Sequence, residues 1–323
     1  FGEDQLQEVL SYREPIGNVA VSASGRVFFT VHPESRPQGN KLLQYVAGAS
    51  VPFPDLQSQR ELFDTVLGVV IDRQNRLWTI DHGNHGLRPP RLLGFDLESG
   101  EVIHDRRFNE LLAPIGSFLQ DLQVSHDVRT IVIADASVWR KSPALIVYNI
   151  DTSTARRVLE EHESVSAEPF IIRNHGKEMN FGGGLATLRA GVDGIAINDE
   201  WLYFGALSGS ALYRVALATL VDPDSSNNEI AGAVERDSDK PLSDGFSIDT
   251  NGNVFVTDVE HGAILRIADN RQLDTLLRSA SIRWPDALSY GPDGWLYIAD
   301  SALRDVILKS PDHIKSQGPY KIF

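Results

Sequence analysis

A pattern of apolar and polar positions recurs six times along the chain: two short apolar runs joined by a tight polar turn, often closed by Asp. The copy at 245–258 turns at Asn251-Gly252, and the copy at 287–300 turns through Gly-Pro-Asp-Gly. Such turns between apolar runs predict β-hairpins. The six hairpins span Asn18–His32, Leu67–Asp81, Asp121–Asp135, Asp193–Ala206, Asp244–Asp258 and Asp286–Asp300.

Further apolar stretches follow most hairpins and predict four strands in each repeat. Successive hairpins begin 42 to 72 residues apart, close to the spacing of four-stranded propeller blades apart from one insertion. We therefore predict an all-β fold, a six-bladed β-propeller that forms a single domain over residues 1–323. A plain β-sandwich is the alternative, but it does not demand six copies of one hairpin. These additional stretches include Leu92–Leu97, Leu145–Ile150, Leu212–Val215 and Ile264–Ile267.

The end of the chain predicts how the propeller closes. Too few residues follow the last hairpin to complete a blade comfortably. We expect the N-terminal strand, within Leu6–Tyr12, to join the last blade beside a strand near Pro319–Phe323. Closure of this kind hides the edge strands.

In a propeller the first strand of each blade lines a central channel, so equivalent residues at its start converge near one mouth. Four carboxylates in such a ring repel one another unless a bound cation neutralises them or a raised pKa keeps one protonated. The alternative is that each Asp accepts local backbone N–H bonds. The predicted ring consists of Asn18, Leu67, Asp121, Asp193, Asp244 and Asp286.

Aromatic and imidazole side chains occur where a ligand at this mouth could use them. His82 and His261 follow the ends of their hairpins, so we expect them at the opposite mouth from the ring. The acids that close the hairpins, such as Asp81 and Asp300, are expected to bond turn amides. The predicted ligand-binding residues are Asn18, Asp121, Asp286, Phe246, Trp284, His82, His261 and Trp139.

The composition and charge of the chain exclude several classes of partner and site. The net charge is −14, with 44 acidic and 30 basic residues and no basic stretch, so nucleic acid is not an expected partner. No apolar run approaches the roughly 18 residues of a membrane span, so we expect no membrane partner. The absence of Cys excludes disulfides and thiolate metal sites. A small-molecule ligand or substrate is the expected partner, and the oligomeric state stays open.

The start of the chain bears on its cellular location, and an insertion bears on the mouth of the channel. The chain starts at Phe1 without an initiator Met, which we interpret as removal of something upstream. A secreted or periplasmic location is therefore an expectation, with a cytoplasmic one left open.

The insertion from Glu168 to Ala190 contains Gly182-Gly183-Gly184 and is interpreted either as a mobile lid or as a surface insertion.

Phrases along nearly the whole chain resemble the yellow and major royal jelly protein family. They include Asn18-Val-Ala-Val, Leu67-Gly-Val with Arg76-Leu-Trp, Gly191-Val-Asp-Gly-Ile-Ala, Asp258-Val-Glu-His-Gly-Ala-Ile and Trp284-Pro-Asp. The chain looks most like the bacterial branch labelled L-dopachrome tautomerase-related. The resemblance implies a six-bladed propeller with a ligand pocket at one mouth. Relatives in that family include both dopachrome-converting enzymes and amine-binding proteins, so the fold alone does not fix the function.

A more distant similarity is to the gluconolactonase and regucalcin propellers, which hold Ca²⁺ or Zn²⁺ through Glu, Asn and Asp at strand starts. Asp193 and Asp244 fall on two such positions. The family's first-blade Glu is replaced here by the Gly17-Asn18 region, and its Asn before Gly is Asp193. The similarity implies a divalent cation, Ca²⁺ in the first place, with Asp193, Asp244 and Asp286 as its candidate ligands.

These patterns lead to three functional hypotheses. The first is a dopachrome tautomerase-like enzyme of tautomerase or isomerase type, in which Asp193 and Asp244 are the catalytic pair that removes and returns a proton. The second is a metal-dependent sugar-lactone hydrolase. The third is a binder of amine or aromatic ligands without catalysis, to which acidic and aromatic groups are suited.

Overall fold

The computed structural model describes residues 1–181, 184 and 186–323. Their main strands form six four-stranded antiparallel sheets. The first strand of each sheet contacts the first strands of the two neighbouring sheets, so the sheets close into a ring. The fold is therefore a six-bladed β-propeller, which confirms the prediction from the hairpin pattern.

Within each of the first five blades, the strands follow chain order from the central channel outward. Blade 1 has strands Ile16–Val21, Val27–Val31, Leu42–Val46 and Ala49–Pro52, blade 2 has Val66–Ile71, Arg76–Asp81, Arg91–Asp96 and Val102–Arg107, and blade 3 has Leu119–Val124, Thr130–Asp135, Ala144–Asn149 and Thr154–Val158. Blade 4 has Val192–Ile197, Trp201–Ala206, Ala211–Ala216 and Glu235–Asp239, and blade 5 has Phe246–Ile248, Val254–Asp258, Ala263–Ile267 and Leu273–Arg278.

Blade 6 joins the two ends of the chain. Its inner strands are Pro285–Tyr290 and Leu296–Asp300, its third is Tyr320–Ile322, and its outer strand is Leu10–Tyr12 from the N-terminal region. Leu10 pairs with Ile322 and Tyr12 with Tyr320. The predicted closure is confirmed, and it pairs the N-terminal strand with the C-terminal strand in the sheet of blade 6.

Outside the blades lie short elements. Two-stranded sheets pair Arg173–Asn174 with Lys177–Glu178, and Asn180–Phe181 with Ala186–Thr187. The α-helices are Ser58–Glu61, Gly83–Gly86, Leu217–Val221, Asn227–Gly232 and Pro311–Ser316, and the described 3₁₀ turns are Glu3–Gln5, Pro33–Ser35, Glu163–Val165 and Leu303–Asp305. Among the described residues, no helix has the length and apolar character needed to cross a membrane.

The core lies between the blades. Inner strands such as Val192–Ile197 are buried at every position because both of their faces are covered by neighbouring blades. The outer strand Val102–Arg107 is instead half-buried at alternate positions and exposed between them. This decrease in burial from the channel to the outer strands matches the sequence, in which the inner strands are apolar runs and the fourth strands are more weakly patterned.

Small residues allow the inner strands to approach one another. A Cβ on Gly68 would lie 2.6 Å from the carbonyl oxygen of Gln120, and one on Gly194 would lie 2.5 Å from that of Asp244. A Cβ on Gly245 would likewise lie 2.5 Å from the carbonyl oxygen of Asp286. Each glycine therefore admits the backbone of the next blade, as the crowding near the channel axis requires.

Candidate functional site

A β-bulge at the start of most inner strands directs one residue toward the mouth of the channel. In blade 1, Ile16 pairs with Val31 but Asn18 pairs with Thr30, so Gly17 is the extra residue. The same shift occurs in blades 2, 3, 4 and 6, and in blade 5 Asp244 lies just before the first paired residues. Bulges are common beside active sites because they re-aim a side chain. The resulting mouth ring is Gly17, Leu67, Gln120, Asp193, Asp244 and Asp286.

The predicted ring was wrong in blades 1 and 3, where it named the residue that follows the bulge, Asn18 or Asp121, in place of the bulge residue itself. Both pair normally, directly after the bulge residue, with Thr30 and Ala134 respectively. Both residues line a cavity of about 130 Å³ within the channel, together with Gln123 and Ser289. We call it the channel cavity. Burial raises the pKa of Asp121 to about 7, although backbone N–H groups that bond its carboxylate oppose the shift.

Three carboxyl groups of the mouth ring lie together in the protein interior. Asp193, Asp244 and Asp286 are each no more than 5% exposed. Burial, followed by the charge of Asp244, raises the pKa of Asp193 well above its usual range, and the same two causes raise that of Asp286. Burial raises the pKa of Asp244 to about 6. Interaction between the two carboxyl groups raises the pKa of Asp193 further and opposes the rise at Asp244, which favours a state with one member protonated and the other ionised.

Neighbouring donors fix the carboxyl pair in position. Gln120 Nε2 donates a hydrogen bond to Asp193 Oδ1, and the buried indole Nε1–H of Trp284 donates to Asp244 Oδ2 at 2.6 Å. Behind the pair, Lys240 Nζ donates to the carbonyl oxygens of Ala206 and Gly209 at 2.8 and 2.7 Å. Burial lowers the pKa of Lys240 to about 7, while Asp193 opposes that shift.

A histidine cluster adjoins the carboxyl groups, and the sequence analysis singled out only one of its members. His32 Nε2 lies 3.7 Å from Asp286 Oδ2, and His85 Nε2 lies 2.7 Å from Glu34 Oε1. His82 is buried with its ring 4.9 Å from that of His85. A sequence signal for His32 existed, because it follows the second strand of blade 1 as His82 follows that of blade 2.

The expectation that His82 lies at the opposite mouth from the ring was wrong. Its strand runs antiparallel to the inner strand, and Asp81 pairs with Val66 next to the bulge. The end of the second strand therefore lies at the same mouth as the start of the first. The charge interaction between His82 and His32 is consistent with this placement.

The three carboxyl groups, His32 and His85 border a cavity of about 340 Å³, which we call the mouth cavity, whereas His82 is not part of its lining. This volume lies within the range typical of small-molecule sites. Its polar lining consists of His32, Glu34, His85, Gln120, Lys141, Thr187, Asp193, Asp244 and Asp286. Its apolar lining consists of Leu67, Phe118, Val138, Trp139, Phe181, Ala186, Leu188, Ala190, Leu207, Leu303, Ile307 and Leu308.

The remaining predicted residues divide between this cavity and other places. Trp139 lines the mouth cavity and is 57% exposed. Trp284 is fully buried, lines neither cavity and donates its hydrogen bond to Asp244. Phe246 lines the channel cavity instead. His261 bonds Asp258 at 2.8 Å, with half of its side chain exposed, and borders neither cavity. The strand before it pairs antiparallel with the inner strand, Val256 with Phe246, so His261 also lies on the side of the mouth ring and not at the opposite mouth as expected.

The acids that close the hairpins bond turn amides, as predicted. Asp81 accepts hydrogen bonds from the backbone N–H groups of Thr65 and Gly83. Asp300 accepts from those of Arg283 and Trp284. These carboxylates are therefore engaged in fixing the blade-to-blade connections.

The insertion of Glu168–Ala190 contributes part of the cavity wall. Asn174 Nδ2 donates to the carbonyl oxygens of Val259 and Arg283, at 2.5 and 2.8 Å, which attaches the insertion to blades 5 and 6. Phe181 and Leu188 line the mouth cavity. Of the glycine triplet in this insertion, interpreted either as part of a mobile lid or as part of a surface insertion, Gly182 and Gly183 lie outside the described residues.

The described part of the chain contains no ready-made set of side-chain ligands for a divalent cation. There, no group of three or more His, Cys, Asp or Glu side chains is placed to hold a metal ion. Asp193 and Asp244 instead accept hydrogen bonds from Gln120 and Trp284, respectively. The Ca²⁺ site predicted at Asp193, Asp244 and Asp286 thus gains no support from the geometry.

The fold and the site together define a six-bladed propeller with a buried acidic cluster beneath an aromatic cavity. The Major royal jelly protein family matches residues 64–307, and the chain therefore belongs to this family. No curated protein matches the sequence.

Solved structures share the fold at low sequence identity. A gluconolactonase from Xanthomonas campestris is 14% identical, with 90% of this chain and 85% of that chain covered and a TM-score of 0.57. A calcium-binding protein, regucalcin, from Agrobacterium tumefaciens is 13% identical, with coverages of 96% and 90% and a TM-score of 0.59. Virginiamycin B lyase from Staphylococcus aureus is 13% identical, with coverages of 91% and 81% and a TM-score of 0.52. These likenesses concern the propeller fold.

Proposed function

We propose that this protein is an enzyme of tautomerase or isomerase type that acts on a small aromatic compound in the mouth cavity. The observation that carries the proposal is the Asp193–Asp244 pair, two buried and interacting carboxyls with raised pKa values at the border of a largely apolar cavity. One ionised and one protonated carboxyl in contact are suited to remove a proton and to return one.

The proposed reaction moves one proton and changes no oxidation state. The ionised member of the pair takes a carbon-bound proton next to a carbonyl or imine, and the electron pair of that C–H bond moves toward the heteroatom. The protonated member, or the same carboxyl after reorientation of the intermediate, returns a proton to another atom. The buried site strengthens these charge interactions because little water surrounds them.

The cavity wall supports an aromatic substrate. Phe118 stacks on His85 with ring centroids 4.8 Å apart, and Trp139 lies edge-on to His85 at 6.1 Å. A planar ring bound against this surface would bury apolar area while its polar atoms reach the carboxyl groups. The dopachrome-converting members of the yellow family make L-dopachrome a reasonable first substrate to test.

The experiment follows hydrogen exchange at carbon, which does not require the product to be known. L-dopachrome and phenylpyruvate are incubated with the protein in D₂O, and the loss of C–H signals is followed by NMR. We expect catalysed exchange with the unmodified protein and a loss of about 100-fold or more in Asp193→Asn and Asp244→Asn, the usual contribution of a general acid–base group. Asp151→Asn, an exposed carboxylate paired with Arg129 at the rim, is the matched control.

Two outcomes would contradict the proposal. Exchange at the unmodified rate in both folded variants would exclude the pair from proton transfer. Heat of binding in isothermal titration with these compounds or with aromatic amines, without exchange or product, would indicate a ligand-binding protein.

Lactone hydrolysis is a second candidate, favoured by the fold shared with the Xanthomonas gluconolactonase and by the oxygen-rich mouth ring. It is tested by elemental analysis of the purified protein and by gluconolactone hydrolysis before and after chelation. Activity that disappears with the chelator and returns with Ca²⁺, Zn²⁺ or Mn²⁺ would replace the tautomerase proposal.

A further inference from the structure

The orientation of His32 is fixed by the backbone. Its Nδ1 accepts a hydrogen bond from the N–H of Glu34 at 3.2 Å, so in the neutral ring the proton is carried by Nε2. Burial lowers the pKa of His32 to about 4, which keeps the ring neutral at neutral pH. His32 thus presents a neutral Nε2–H donor to the mouth cavity that it lines.

Asp286 presents the complementary atom. Its Oδ2 is buried and has no hydrogen-bond partner among the described atoms. The distance from His32 Nε2 to this oxygen is 3.7 Å, too long for a direct hydrogen bond. An oxygen atom placed beside the line joining the two, however, can lie within about 3 Å of both. Both residues border the mouth cavity.

We propose that the space between His32 Nε2 and Asp286 Oδ2 holds an oxygen atom of the ligand, and that this ligand is an aromatic enol or phenol, or its keto tautomer. This inference rests on the proposed function and names the substrate class of the same cavity. An enol or phenol oxygen accepts from His32 while its hydroxyl hydrogen is donated to Asp286. A keto oxygen accepts from His32 at the same position.

The surroundings favour an aromatic ring attached to that oxygen. Phe118 and His85 form one stacked surface of the cavity, and Glu34 orients His85 through a 2.7 Å contact with Nε2. Lys141 also lines the cavity, but its Nζ donates to the carbonyl oxygen of Arg189 at 2.8 Å. A ring bound on this surface with its oxygen at His32 would bring its adjacent carbons near the carboxyl groups that border the same cavity.

This arrangement completes the proton balance of a keto–enol conversion. The carbon-bound proton leaves to the ionised carboxyl of the Asp193–Asp244 pair, and the electron pair of the C–H bond forms a C=C bond as the C=O bond becomes C–O. Negative charge on the oxygen is stabilised by the Nε2–H of His32. Protonation of this oxygen by a carboxyl group then gives the enol, with no oxidant or reductant needed.

The test compares two probes that differ only in the oxygen. 2-Naphthol and naphthalene are titrated into the protein and followed by fluorescence. We expect the unmodified protein to bind 2-naphthol about tenfold more tightly, because a net hydrogen bond contributes about this factor. His32→Phe and Asp286→Leu should each remove most of this preference while leaving naphthalene binding intact. His32→Gln, which retains an N–H donor, should keep part of it.

The control is His126→Phe, which alters a histidine paired with Asp199 on a hairpin turn away from both cavities. Circular dichroism and thermal melting verify folding, and Asp286→Leu carries the test if His32→Phe fails to fold. An equal affinity for the two probes, or a preference unchanged in the folded variants, would overturn the inference. Because the readout is binding, a preference that depends on His32 without any catalysed C–H exchange would preserve the oxygen site and reject the proposed function.

Discussion

The indole Nε1–H of Trp284 donates a 2.6 Å hydrogen bond to Oδ2 of Asp244, and both side chains are buried. Trp284 lies at the start of blade 6 and Asp244 at the start of blade 5, so the bond joins neighbouring blades at the mouth ring. This hydrogen bond favours the ionised carboxyl and opposes the rise that burial imposes on the pKa of Asp244.

Trp284→Phe should therefore raise the pKa of Asp244 further above about 6. A hydrogen bond to a charged group contributes about 1.5 to 3 kcal/mol, which corresponds to roughly one to two pKa units. The acid limb of the rate of C–H exchange should shift to higher pH by that amount. Trp295→Phe, at a half-exposed tryptophan, is the control and should leave the profile in place. An unshifted limb in folded Trp284→Phe would show that this bond does not tune Asp244.

The exchange activity proposed for the unmodified protein should be lost in acid. Proton removal requires an ionised member of the Asp193–Asp244 pair, and burial raises the pKa of Asp244 to about 6. The rate of exchange should thus rise with pH through about 6, and it should fall again where the pair loses its remaining proton. The two limits belong to the coupled pair. Rates measured in buffers of constant ionic strength test this, and a rate independent of pH from ~5 to ~8 would be inconsistent with the pair.

Asp286→Asn should make the folded protein more stable at neutral pH. Burial raises the pKa of Asp286 in the folded state, so the folded protein binds this proton more tightly than the unfolded chain does. Its contribution to the unfolding free energy consequently falls as pH rises from the unfolded pKa to the folded one, by about 1.4 kcal/mol per pH unit. Above the folded pKa the loss is constant.

Urea unfolding at ~pH 4 and ~pH 8 checks this prediction. The difference in unfolding free energy between Asp286→Asn and the unmodified protein should favour the variant at the higher pH and nearly vanish at the lower. Asp151→Asn, an exposed carboxylate, should show little difference at either pH. A variant destabilised equally at both values would mean that Asp286 contributes through uncharged contacts alone.

Gly245→Ala should destabilise the ring between blades 5 and 6. The added Cβ would lie 2.5 Å from the carbonyl oxygen of Asp286 and 2.7 Å from Cα of Ala287. Both are backbone atoms, so relief requires a shift of the strand, and overpacking of this kind costs about 1 to 3 kcal/mol. Denaturant unfolding measures it. Gly232→Ala, where no atom lies within 4 Å of the added Cβ, is the control. Equal stability of the two variants would contradict this account.

The number of blades and their hairpins could be predicted because they rest on local patterning and turn chemistry. The closure by the N-terminal strand could be predicted because too few residues follow the last hairpin to complete its blade. The ring could not be aligned from its Asp residues alone, since Asn18 and Asp121 follow the bulge by one position. Counting back five residues from the start of each hairpin turn does give the mouth ring. These turn residues are Ser22, Asp72, Ser125, Asn198, Asp249 and Gly291.

The sequence by itself determined that acidic residues begin several inner strands, because strand periodicity and turn residues act over a few neighbours in the chain. Only the tertiary structure decided which acids meet. The β-bulges of blades 4 and 6 place Asp193 and Asp286 at the mouth cavity, which Asp244 reaches from just before its strand, while Asp121 lines only the channel cavity. His32 and Asp286 come from blades 1 and 6 and lie 3.7 Å apart because closure of the ring places those blades side by side.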